Sequence, residues 1–205
     1  MHKNLRNLRN LNKLNKVNFL IGIAFLGIAL VSTQSCKSEY EKTVKSELAS
    51  GITYDSLILD LRLGQTKKEF YEHCWALNKS MEITAGSGNK YAMYVMPADT
   101  TDMYPDKINI HFYGIFDEQE VMQGMEMKMG YYSWAPWLDQ FDSDKLLEKM
   151  KEIMLDDYPG NDFLEIEVGE VTALVKVDGN RQIRMFPISQ QQIMVKIEDL
   201  RTKRI

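Results

Sequence analysis

Apolar positions recur along this chain in two different periods. Phe70, Cys74, Leu77 and Met81 fall at spacings of four, three and four, which predicts a helix with one buried stripe, flanked by Tyr71 and Trp75. Gly64 breaks the apolar run Ile58, Leu59, Leu61 and Leu63, and Thr66 with Glu69 forms a capping box that starts the helix. Beyond it the period shortens to two. Tyr91 to Met96 and Lys107 to Phe116 predict strands, the second with Ile108, Ile110 and Phe112 inward and Asn109, His111 and Tyr113 outward. Val121 to Tyr131 continues the pattern. A second helix is predicted from an Asp142 or Ser143 cap to about Leu155, with Leu146, Met150, Ile153 and Met154 on its apolar face and Pro159-Gly160 as its end. Four strands follow, Phe163 to Val168, Val171 to Val177, Gln182 to Pro187 and Gln192 to Glu198, with Asp178-Gly179-Asn180 as a hairpin turn. The fold class is therefore α+β, two helices packed on one face of a mainly antiparallel sheet.

A third pattern precedes these. Lys3, Arg6, Arg9, Lys13 and Lys16 stand before an apolar segment from Phe19 to Val31, and Ser32-Thr33-Gln34-Ser35-Cys36 follows. Basic start, short apolar run and small residues are the layout of an export signal over residues 1–35. The apolar run is shorter than the roughly 20 residues that span a bilayer, which favours a cleaved signal over a permanent anchor. Ser35-Cys36 resembles the lipobox of bacterial outer-membrane lipoproteins, whose Cys is lipidated and becomes the new N-terminus. The resemblance implies acyl attachment at Cys36, and Lys37, in place of the Asp that retains such proteins in the inner membrane, implies the outer membrane, in the periplasmic leaflet or at the cell surface. Several acyl chains at about 0.8 kcal/mol per buried methylene hold a protein to a membrane without a spanning helix. Ordinary cleavage after Ser35, leaving a free thiol, is the alternative.

From Cys36 to residue 56 the chain is charged and polar and reads as a tether, with a short amphipathic helix as the competing view. The globular domain is expected over 57–200, and 201–205 form a basic tail. Helix followed by strands occurs from Thr66 and again from about Ser143, which suggests tandem units 57–136 and 137–200. Leu61, Gly64, Thr66, Glu69 and Phe70 match the opening of the β-lactamase-inhibitor-protein-like fold and of the small outer-membrane assembly lipoproteins similar to it. That resemblance implies a duplicated unit of one helix and three or four strands.

Charge narrows the partners. Of 25 basic residues five precede Cys36, as does none of the 29 acidic ones, so the exported chain carries 20 against 29, a net charge of about −9. Such a surface repels phosphate backbones, and nucleic acid is not an expected partner. Cys74 is the only other thiol, so with Cys36 acylated no intramolecular disulfide forms.

Candidate chemistry is thin. Met125, Met127 and Met129 would put three thioethers on one strand face, where Cu(I) could bind, but Glu126 and Lys128 between them read as a half-buried strand with Met as core filler. His73 and His111 have no partner at zinc spacing, and Cys74 beside His73 cannot use it as a base because adjacent helix positions diverge. Gly86-Ser87-Gly88 reads as a turn. No metal, cofactor or catalytic constellation is expected, and a glycan-processing enzyme ranks below a binding protein. The densest signal is Tyr131-Tyr132-Ser133-Trp134-Ala135-Pro136-Trp137. Tyr131, Tyr132, Trp134 and Trp137 are the candidate partner-binding residues, with a protein interface, a stack for glycans and a plug between two sheet halves all open at this point.

Overall fold

The computed structural model describes residues 39–86, 90–97, 107–169 and 171–202. Residues 1–35, expected to be an export signal, Cys36, Ser87 and Gly88 of the expected turn, and residues 203–205 of the expected basic tail lie outside them. The chain divides into Met1–Glu41 and Lys42–Ile205, and the second unit carries the fold.

Helix α1 covers residues 39–50, α2 Lys67–Lys79 and α3 Ser143–Asp157. The eight strands are β1 Ile83–Ala85, β2 Ala92–Met96, β3 Ile108–Phe116, β4 Met122–Tyr131, β5 Leu164–Val168, β6 Val171–Asp178, β7 Arg181–Ser189 and β8 Gln192–Asp199. They form one sheet in the order β1-β2-β3-β4-β8-β7-β6-β5, antiparallel at every pairing. The fold is α+β. Each helix after α1 is followed by a four-stranded meander, and the two meanders join through their last strands, β4 and β8.

Register explains where the core lies. Phe112 faces Met127, Met127 faces Val195, and Val195 faces Met185, so these side chains form one row across four strands. All four are fully buried with Phe70 of α2 and with Leu146, Met150 and Met154 of α3, which places both helices on that side of the sheet. Met125, Met127 and Met129 are core residues, with no thioether at a surface. The helical stripe predicted for α2 ends earlier than its spacing suggests. Phe70 is buried and Cys74 and Leu77 pack against the core, but Met81 lies past the helix end, 87% exposed and at φ +62°. The capping box is present, the Glu69 amide donating to Thr66 Oγ1 and the Thr66 amide to Glu69. Strand β1 carried only three residues of pattern and was not predicted.

Within 36–56, read as a polar tether, residues 39–50 form a helix, the competing view, and that helix is fastened to the fold. Val44 of α1 is buried, and Glu47 accepts from the Gly179 amide at 2.7 Å and from Asn161 Nδ2 at 2.8 Å. The chain then runs past the β6–β7 turn, where the Tyr54 amide donates to Asn180 Oδ1 and Arg181 donates to the carbonyl and hydroxyl of Ser56. Gly179 sits at φ +53°, and a Cβ there would come within 2.3 Å of the Ile52 carbonyl oxygen, so a glycine is needed both for the turn and for this crossing. Arg201 is the first residue of the expected basic tail. It lies in the 3₁₀ turn Leu200–Thr202 and is held by the Asp199 carboxylate.

Candidate functional site

The aromatic connector leaves β4 at Tyr131 and reaches α3 through Pro136 and the 3₁₀ turn Asp139–Phe141. The structure separates its four candidate residues into two pairs. Tyr131 is buried, its ring 5.1 Å from that of Phe141, and its removal from water raises the phenol pKa. It supports the connector and is not available to a partner. Trp134 packs against the core and donates its indole N–H to Asp142 Oδ1 at 3.1 Å. Asp142 stands at the N-cap of α3 but makes no cap bond with its side chain, because the carboxylate serves Trp134 and Gln190 instead. Tyr132 and Trp137 point the other way, 67% and 79% exposed. Backbone bonds pin the segment, the Tyr132 amide to the Lys107 carbonyl at 2.8 Å and the Leu138 amide to that of Ala135 at 2.9 Å. Two aromatic faces are therefore presented on a braced loop.

Beside Tyr132 and Trp134 lies a hollow of about 220 Å³ floored by Asn109 and Gly130, which face each other across β3 and β4. A Cβ on Gly130 would come within 2.9 Å of the Gln191 carbonyl oxygen. Asn109 Oδ1 is buried there without a hydrogen-bond donor.

The sheet face away from the core is charged at its centre. Tyr113, Glu126, Lys196 and Arg184 form one cross-strand row, with Lys196 2.6 Å from Glu126 and Arg184 3.1 Å from Glu198. Burial opposes ionisation of Glu126, but hydrogen bonds from Lys196 and Tyr113 hold its pKa below the ordinary carboxylate value. Burial, aided by Glu126, pushes Tyr113 up to about 12.

A second aromatic site was not singled out from the sequence. Tyr71 and Trp75 project from α2, 58% and 64% exposed, and border a groove of about 460 Å³ against the end of β3. Lys79 lies 3.6 Å above the Trp75 ring. The i, i+4, i+8 spacing of Tyr71, Trp75 and Lys79 was the available signal, since it sets all three on one helical face. Cys74 lines the same groove with its pKa raised to about 11 by burial, and His73 Nε2 is bonded to the Leu59 carbonyl at 2.7 Å. Neither arrangement makes a nucleophile.

Comparisons with protein-family models, with curated proteins and with solved structures find no match to this chain.

Proposed function

We propose that this chain is a non-catalytic, lipid-anchored cell-envelope protein that binds a protein partner, with Tyr132 and Trp137 as its anchoring side chains. The observation that carries the reading is the division of labour in the connector. Tyr131 and Trp134 are fixed in the fold, so Tyr132 and Trp137 offer large apolar area with little ordering left to lose on binding. Acyl attachment at Cys36 follows from the order of basic, apolar and small residues before it, and a net charge of about −9 on the exported chain disfavours nucleic acid. We also read α2 with β1–β4 and α3 with β5–β8 as a duplicated unit, supported by their identical element order and by the β4–β8 junction.

Chemical crosslinking in intact envelopes, followed by affinity purification, tests the binding role. Tyr132→Ala with Trp137→Ala is expected to reduce recovery of the partner about tenfold or more, with circular dichroism unchanged. Equal recovery from the variant would contradict it.

One observation favours a glycan at the same place. Asn109, whose Oδ1 has no hydrogen-bond partner, lines the hollow together with Tyr132 and Trp134, which sets a polar group beside aromatic faces, as a sugar ring requires. Quenching of Trp134 fluorescence by soluble peptidoglycan fragments would support it. No response at millimolar fragment would exclude it.

A further inference from the structure

The groove between α2 and β3 combines three features that point to one kind of ligand. The first is an open strand edge. The β2–β3 ladder ends at Ala92 and Phe112, whereas β3 continues to Phe116, so Tyr113–Phe116 carry no ladder partner on that side among the described residues. A strand edge of this kind pairs with an extended backbone. The second is an aromatic lining beside that edge. Tyr71 and Trp75 from α2 line the groove together with Phe116, whose ring packs edge-on against Phe70 at 5.5 Å and lies where a side chain on Gly114 would collide with it. The volume, about 460 Å³, is within the range of pockets that enclose a compact apolar group. The third is charge. Lys90 lines the groove and Lys79 covers Trp75, and neither has an ion-pair partner among the described residues, although the chain as a whole is acidic. The neighbouring carboxylates are engaged elsewhere, Glu72 with Lys68 and Glu82 with the Ser80 hydroxyl.

We propose that this groove receives an extended peptide segment of a protein partner, which adds as a strand beside Tyr113–Phe116. It seats one large apolar side chain between Trp75 and Phe116 and offers a carboxylate to Lys79 and Lys90. Strand pairing supplies the backbone contacts, the aromatic lining selects the side chain, and the two lysines favour an acidic neighbour. The inference rests on the reading of this chain as a protein-binding module, but uses a surface separate from the connector.

Selection of phage-displayed random dodecapeptides against the purified protein supplies the probe. Peptides carrying a large apolar residue near Asp or Glu are expected to be enriched, and a synthetic copy is expected to slow amide hydrogen exchange at residues 113–116. Trp75→Ala, an exposed position that leaves the core intact, is expected to weaken binding about tenfold. Lys79→Glu with Lys90→Glu is expected to do the same and to be rescued by a peptide whose acidic residue is changed to Lys. Failure to enrich such peptides, unchanged exchange at 113–116, or affinities within about twofold across these variants would overturn the proposal. So would Trp75-dependent binding of phosphatidylglycerol vesicles without amide protection, which would mark the groove as a lipid site. Peptides lost only in Tyr132→Ala with Trp137→Ala would overturn the groove and leave the connector reading standing.

Discussion

Lys176, Asp178 and Arg181 are three charged side chains buried beside the β6–β7 turn, and their partners account for their presence there. Lys176 Nζ lies 3.0 Å from Asp178 Oδ2 and also meets the Asn161 carbonyl, while Asp178 Oδ1 accepts from the Asn161 amide at 2.8 Å. Gly160 at φ +146° lets this chain segment approach, since a Cβ would meet Asp178 Oδ1 at 2.2 Å. Arg181 is held between the rings of Tyr158 and Tyr54, 4.4 and 5.1 Å away, and its burial lowers its pKa. Asp178→Asn leaves the Lys176 ammonium buried without its counter-charge and is expected to cost about 3 kcal/mol in urea unfolding. Adding Lys176→Met is expected to restore part of that loss. Asp199 contributes in a pH-dependent way. Burial opposes its charge, but Arg201 holds its pKa below the ordinary value, so its stabilisation is complete above about pH 4 and is lost as pH falls through the lowered folded-state pKa. Acid unfolding of Arg201→Ala should therefore show a shallower loss of stability below pH 4 than the wild type. Cys74, raised to about 11 from 9.0, should react with iodoacetamide at pH 8 about 100-fold more slowly in the native state than in urea.

At the level of elements, the two helices reached the structure nearly as read because their signals are local. Thr66 and Glu69 fix the start of α2, and Thr66→Ala is expected to lower stability by about 1 kcal/mol, seen in chemical denaturation. Leu146, Met150 and Met154 are the buried face of α3 as their spacing implied, with Ile153 partly buried. Strands with strict alternation were equally legible, and so was the Gly179–Asn180 turn. Elements set by distant partners were not. β1 exists because Ile83–Ala85 pairs with β2, and α1 docks because Glu47 finds the Gly179 amide across 132 positions of sequence. Neither contact leaves a periodic trace. The connector shows the same limit at the site: its aromatic density was plain in the sequence, but only the Trp134–Asp142 bond and the Tyr131–Phe141 contact reveal which rings are structural.

For the molecule as a whole, the sheet joins both halves into one fold, and the buried polar cluster at the β6–β7 turn ties down the chain that leads from α1. Glu47 and Tyr54 are thus fixed to the domain through Asn161, Gly179 and Asn180. Attachment is the proposal that residues 1–35 are a cleaved leader closed by Cys36, and an envelope partner depends on it. Intact-mass and peptide mass spectrometry of the protein purified from its native membrane tests that premise most directly. The expected N-terminal peptide begins at Cys36 and carries a diacylglyceryl thioether together with an amide-linked acyl chain. A retained leader, or a Cys36 with an unmodified thiol, would contradict it.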